Sequence, residues 1–222
     1  KQSWDNRRNE MITGRFDFSM VEQGLKVYEY NCDSASCYME CGKIQDKWAE
    51  HFDVTEGRSA GNKLHKELVE AWHNSSVKGV LHILQDKDLE ETYHVLFMQE
   101  AIEQAGITCK ILKDFDTLRW NPEGQIIDDE GIEVRWVWKT WAWETALDQL
   151  REECEQDDTR MEAYEFDQVR QGNPRLVDVL LRSEVVVFEP LWTLIPSNKA
   201  ILAVLWMLFP EHPYLLNTQF SL

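Results

Sequence analysis

No stretch of this sequence is apolar for long enough to cross a membrane; the longest, Ala200 to Phe209, falls far short of the roughly 20 residues that a span requires and reads instead as a core helix. The first residues carry no signal-peptide pattern. Positive charge is scarce: 23 Lys and Arg face 40 Asp and Glu, a formal net charge of −17. Such a surface repels phosphate backbones and anionic lipid, so neither nucleic acid nor a membrane is expected as partner. It is what a well-solvated surface carries, and it would also draw in a polycation or a divalent metal. Cysteine is unpatterned: Cys32, Cys37, Cys41, Cys109 and Cys154 are odd in number and form no C-x-x-C, so reduced thiols and a cytoplasmic location fit best. His65, His73, His82 and His94 lack the i, i+4 spacing of a metal pair and adjoin no evident carboxylate pair, which argues against histidine-based metal or triad chemistry. Repeats and low-complexity tracts are missing too. What remains is material for a core: 43% hydrophobic residues, with ten Trp, nine Phe and six Tyr in 222 residues. That excludes disorder and suits one large or two small domains, burying roughly 70% of the unfolded surface. The chain opens on Lys1 rather than Met and stops at Leu222 after a strand-like segment, so it reads as a piece of something longer.

Thr13 to Met20 alternates, with Phe16, Phe18 and Met20 on one side and Arg15, Asp17 and Ser19 on the other, as in a half-buried strand. Leu25 to Asn31 answers it. A three-residue loop of Glu22, Gln23 and a left-handed Gly24 would pair Asp17 with Glu29 and Arg15 with Asn31. Asp33 or Ser34 then caps a helix running to about Trp48. From Val80 the order is strand (to Leu84), helix (Leu89 to Ala105, stopped by Gly106), strand (Ile107 to Leu112), a small hairpin between Asn121-Pro-Glu-Gly and Asp128-Asp-Glu-Gly, strand (Val134 to Lys139) and helix (Ala142 to Glu155). This is a βαβ-like, open-sheet pattern. Glu152 to Asp167 reads as an exposed helix end and loop, Arg175 to Leu181 as a short helix, Val185 to Phe188 as a buried strand, and Ser197 as the N-cap of a helix ended by Pro210.

Arg15, Asp17, Glu29 and Asn31 on one hairpin face are awkward as packing, because opposed carboxylates repel unless a cation lies between them. Two carboxylates and an amide oxygen suit magnesium beside a nucleotide, with Arg15 free to contact a phosphoryl group; a solvent-facing polar hairpin with ordinary ion pairs is the competing explanation. Lys199 opens a helix, where an ammonium is disfavoured unless an anion joins it, so phosphate suits it; an exposed lysine at a helix start is the plain alternative. Cys37 reads as a buried helical thiol, and Trp136, Trp138, Trp141 and Trp143 as core and pocket wall.

Six segments carry a resemblance, the first five being Arg15-Phe-Asp-Phe18, Tyr28-Glu-Tyr-Asn31 and Asp33-Ser-Ala-Ser-Cys37, then Gln85-Asp-Lys-Asp-Leu-Glu-Glu91 and Trp138-Lys-Thr-Trp-Ala-Trp-Glu-Thr145. With Glu189-Pro-Leu-Trp-Thr-Leu-Ile-Pro-Ser-Asn-Lys-Ala-Ile-Leu202 they resemble, in order, the synthetase domain of the glutathionylspermidine synthase and trypanothione synthetase family. The resemblance implies a mixed α/β (α+β) fold, part of an ATP-grasp-like ligase with an open-sheet, pre-ATP-grasp-like subdomain. In that ligase ATP phosphorylates the glycine carboxylate of glutathione, and an amine of spermidine or a related polyamine displaces the phosphate. Residue by residue, it implies that Asp17, Glu29 and Asn31 bind magnesium and that Arg15 meets ATP and the acyl phosphate. Ser34, Ser36, Glu91, Thr140 and Thr145 would hold glutathione, Glu90 the polyamine and Lys199 ATP. Glu90 is equally well explained as a solvated helix start.

The division that follows places the magnesium and glutathione hairpin in 1–77, the pre-ATP-grasp-type unit in 78–170 and a return to the ATP-grasp part in 171–222. Members of the family continue past the point equivalent to Leu222, where the remaining ATP contacts lie, and many carry an N-terminal amidase domain; by itself this chain is expected to be inactive. Relatives with unassigned substrates tend to have a Thr-Pro-Thr block where this chain has Ser34-Ala-Ser36, which favours the glutathione-using branch. A related ligase with another amine acceptor, or a non-catalytic acidic domain binding polyamine or metal, are the alternatives.

Overall fold

A computed structural model describes residues 11–22, 24–34, 36–156 and 163–220. Strands β1 (Arg15–Val21) and β2 (Gly24–Asn31) form an antiparallel hairpin in which Arg15 faces Asn31 and Asp17 faces Glu29, as the alternation predicts. The turn is one residue tighter than predicted, since Val21 pairs with Gly24, at φ +103°, rather than with Leu25. A bulge restores the register: Phe18 faces Val27 while Asp17 faces Glu29, leaving Tyr28 as the extra residue. The apolar side of β1 is its more open side, with Phe16 51%, Phe18 50% and Met20 82% exposed, so the half-buried strand is reversed from expectation. Phe16 stacks on Tyr30 with ring centroids 4.1 Å apart.

The predicted helix after the hairpin begins only at Tyr38, passes through a π-helical turn at Glu40–Ile44 and continues as α1 (Gln45–His51). Neither Asp33 nor Ser34 caps it; Asp33 is engaged elsewhere. Cys37 precedes this helix at φ +72° and is half-buried, which corrects its assignment as a buried helical thiol. Gly42, inside the π turn, lies where a Cβ would come within 2.4 Å of the Phe97 ring, so only glycine lets the turn seat there.

A four-stranded parallel sheet in the order β4-β3-β7-β8 forms the centre, from β3 (Leu81–Leu84), β4 (Cys109–Leu112), β7 (Trp136–Lys139) and β8 (Val186–Val187). The predicted small hairpin is β5 (Arg119–Trp120) against β6 (Ile126–Ile127). Successive strand side chains point to opposite faces, and both faces are covered, as parallel sheets require. Leu81, Ile83 and Trp138 pack with Leu68 and Trp72 of α2 (Gly61–His73) and Val95 and Met98 of α3 (Leu89–Gln104). Leu84 and Val137 pack with Trp143 and Ala146 of α4 (Trp143–Gln156) and Val177 of α5 (Leu176–Leu180). This is the mixed α/β, open-sheet architecture read from the sequence. The charge-rich stretch from Glu152 lies in part outside the described residues.

Two terminal features differ from prediction. Ser197, in α6 (Leu194–Ser197), caps nothing: its Oγ accepts the Cys32 amide at 3.0 Å, while Asn198 Oδ1 receives the amide of Ala200 at the start of α7 (Ala200–Leu208). Nor is α7 a core helix, since only Ala203 is buried and Met207, Leu208 and Phe209 are exposed. With Phe16, Phe18 and Tyr30 its side chains Leu202 and Leu205 line an apolar groove of about 490 Å³. No described helix is long and apolar enough to cross a membrane; the α6–α7 region passes such a test only as a pair bent by 71°.

Candidate active site

In an open parallel sheet, ligands bind outside the carboxyl ends of the strands. Here β3 runs into Gln85 and Asp86, β7 into Thr140, and β8 into Glu189, while the hairpin and the Asp33–Cys37 segment come to the same edge. On the hairpin, the Arg15 guanidinium forms a two-point pair with Asp17, Nε to Oδ1 at 2.9 Å and a terminal nitrogen to Oδ2 at 3.3 Å. Its other terminal nitrogen donates to Ser36 Oγ at 2.9 Å and approaches Cys37 Sγ at 3.5 Å. The bond to Asp17 raises the Arg15 pKa further, keeping the guanidinium charged. Lys199 Nζ lies 2.9 Å from Glu29 Oε2, and this contact, helped by Asn31, holds the Glu29 carboxyl below its usual range. Arg15, Asp17, Glu29, Asn31, Ser36 and Lys199 therefore share one cluster. A cleft of about 400 Å³ opens beside Arg15, Ser36 and Cys37.

A second group sits at the end of β3 and the start of α3. Thr140 is buried, its Oγ1 accepts the Asp86 amide at 2.8 Å, and its hydroxyl also bonds Glu91. Burial, then the charges of Asp86 and Asp88, raise the Glu91 pKa. Asp88 Oδ1 caps α3 through the Glu90 amide, and Glu90 itself is exposed. Thr145 is half-buried one turn into α4, and Ser34 is exposed in the loop after β2. Tyr38 lies between the two groups: the charges of Arg15 and Glu91 both reach its hydroxyl, which bonds Thr13 Oγ1 at 3.0 Å.

The oxygen donors Asp17, Glu29 and Asn31 fit magnesium in kind, the last through its amide oxygen. In this arrangement both carboxylates are neutralised by Arg15 and Lys199. Among the described residues no group of three or more His, Cys, Asp or Glu side chains is placed to hold a metal, so such a site would depend on the amide and on water.

Sequence reasoning missed three charged residues and one histidine pair. Lys139, fully buried at the end of β7, donates to Asp33 Oδ1 at 2.7 Å, and Asp33 Oδ2 accepts the Trp143 amide at 2.8 Å. Glu189, also buried and at φ +56°, accepts the amides of Ile12 and Thr13 on Oε1, each at 3.0 Å. Its Oε2 has no partner, and burial pushes the carboxyl up to about 7. The available signal was a charged residue closing each of two apolar runs, Trp136 to Trp138 and Val185 to Phe188. His82 is buried with Nε2 3.2 Å from the one carboxylate of Asp128, at Oδ2, a pairing the sequence gives no sign of. All five cysteines are free.

The whole chain, residues 1–222, matches the family model described as the glutathionylspermidine synthase pre-ATP-grasp domain. The chain belongs to that family. It is 53% identical over 223 residues to the bifunctional glutathionylspermidine synthetase/amidase of Escherichia coli (strain K12), covering 99% of this chain and 35% of that protein. Against the trypanothione synthetase of Crithidia fasciculata it is 37% identical over 228 residues, covering 100% of this chain and 34% of that protein. The glutathionylspermidine synthase of the same organism is 30% identical over 241 residues, covering 99% and 32%. The chain thus spans about a third of the length of these curated relatives.

Proposed function

We propose that this chain supplies the glutathione-carboxylate side of a cytoplasmic, ATP-dependent carbon–nitrogen ligase. That ligase joins the glycine carboxylate of glutathione to an amine of spermidine or a related polyamine through an acyl phosphate. The observation that carries this is the convergence, at the carboxyl edge of the sheet, of Arg15, Asp17, Ser36, Glu29 and Lys199 in linked contacts. Ser34 and Ser36 would receive a carboxylate of glutathione, with Thr140, Thr145 and Glu91 holding its polar backbone and ammonium. Arg15, already fixed by Asp17 and Ser36, would face the charge that develops on the transferring phosphoryl group, where positioning and neutralisation dominate. Lys199 is 71% exposed and can exchange Glu29 for a phosphate. Magnesium, held by Asp17, Glu29 and Asn31, would neutralise the phosphate oxygens. Glu90, exposed beside Glu91, would attract the polyamine. In this scheme 1–77 carries the carboxylate and metal side, 78–170 the open-sheet platform and 171–222 the lysine arm.

Calorimetric titration of the 222-residue chain with glutathione is the test. Binding that weakens in Ser36→Ala and in Thr140→Val supports the assignment, and a folded chain that takes up no glutathione overturns it.

A further inference from the structure

Buried ion pairs rarely stabilise a fold, because desolvating two charges offsets most of their attraction; an apolar pair of similar volume often holds a core equally well. Asp33 and Lys139 form such a pair beneath the candidate site, and burial alone pushes the Lys139 ammonium below its usual range against the pull of Asp33. Their bonding is complete and directional. The Lys139 ammonium has three protons and meets three acceptors: Asp33 Oδ1 at 2.7 Å, the Asp33 carbonyl at 3.3 Å and the Trp141 carbonyl at 2.8 Å. Asp33 Oδ2 takes the Trp143 amide, the first of α4, at 2.8 Å. The ammonium also lies 5.2 Å above the Trp143 ring. Every one of these bonds ties Asp33 to residues 139–143 or orders that second segment, 106 residues on in sequence at Lys139.

Ser34 follows Asp33 directly and Ser36 lies two positions further on, while Thr140 follows Lys139. We propose that the Asp33–Lys139 pair is a positioning device that locks the serine loop against the threonine loop, setting the distance between two halves of one substrate site. The hydrophobic closure of the sheet is made by apolar side chains, Trp138 and Val137 each lying in one of the two core clusters. Lys139 and Asp33 are positioning residues: they act through Ser34, Ser36 and Thr140. The substrate half of the proposal rests on those three being glutathione ligands, as proposed above; the clamp itself rests on the geometry.

The test compares wild type, Asp33→Asn and the double variant Asp33→Asn with Lys139→Met, each as the full 222-residue chain. Thermal unfolding, site-resolved amide hydrogen exchange and glutathione titration are measured on all three. Asp33→Asn keeps an oxygen for the Trp143 amide but leaves the buried Lys139 ammonium without its counter-charge, so the double variant, which removes both charges, is the milder of the two. Both variants should retain cooperative unfolding and slow exchange in β3 and β7. Exchange at residues 33–37 and at Trp143 should quicken by about tenfold or more, and glutathione should bind about tenfold more weakly. Unchanged exchange at those amides overturns the clamp, and so does loss of the fold in both variants, which would make the pair a core element. Unchanged affinity with quickened exchange overturns its link to the substrate. If wild type itself takes up no glutathione, the substrate assignment falls, and exchange alone decides the clamp.

Discussion

Lys199 Nζ lies 2.9 Å from Glu29 Oε2, so a lysine at the entrance of α7 neutralises a hairpin carboxylate far away in sequence. The lysine end of the pair is largely open to water, which makes it weak as a fastener and easily exchanged. Lys199→Met should change unfolding free energy by no more than about 1 kcal/mol. The same variant should bind magnesium more tightly at the hairpin, since the ammonium no longer competes for Glu29. Magnesium-dependent chemical-shift changes at Asp17, Glu29 and Asn31 measure this; equal affinity in both proteins would detach Lys199 from the metal site.

Arg15 and Ser36 touch each other but should report on different steps. In an active ligase carrying this chain, Arg15→Ala should lower kcat far more than it raises KM for glutathione if, as proposed, the guanidinium meets charge that develops during transfer. Ser36→Ala should mainly raise KM. Steady-state kinetics on both variants separates the roles.

Glu189 gives the fold a pH dependence of unusual sign. Below about pH 4.5 its carboxyl is neutral in both folded and unfolded chains; between there and about 7 the unfolded chain releases the proton while the folded chain keeps it. The contribution of this group to stability therefore falls as pH rises through that window, by an amount on the order of 3 kcal/mol. Glu189→Gln does not titrate and keeps an oxygen for the Ile12 and Thr13 amides. Its stability relative to wild type should rise from about pH 5 to about pH 8 in denaturant titrations.

ATP should bind this chain weakly. The cations assigned to it, Arg15 and Lys199, are already paired with Asp17 and Glu29, and a few phosphate contacts scarcely offset the cost of immobilising a nucleotide. A dissociation constant in the millimolar range or weaker, about −4 kcal/mol, is expected by calorimetry with magnesium present. Micromolar binding would place the nucleotide site elsewhere.

The pairing of Asp17 with Glu29 is legible in the sequence because two alternating runs flank a glycine that tolerates positive φ. The tighter turn and the Tyr28 bulge are not, since together they leave the same pairing at the open end of the hairpin. Alternation also tells which side chains share a face but not which face is covered; Phe16, Phe18 and Met20 could therefore be grouped correctly and still be assigned to the wrong side. The sheet and its helices follow from short apolar runs separated by Gly106 and turn residues. Asp33 is harder to place. An aspartate before two serines reads as a local cap, and its actual partners, Lys139 and Trp143, become neighbours only when β7 is in the sheet.

The groove between the hairpin and α7 gives the chain an unusual colloidal character. Its aromatic and aliphatic rims would drive copies together, while the net charge of −17 drives them apart. The repulsion reaches only a Debye length, about 10 Å at 0.1 M salt and about 3 Å at 1 M, whereas apolar attraction persists at any ionic strength. Salt thus sets the balance: dilute buffer keeps the molecules dispersed, and concentrated salt leaves the groove as the dominant force between them.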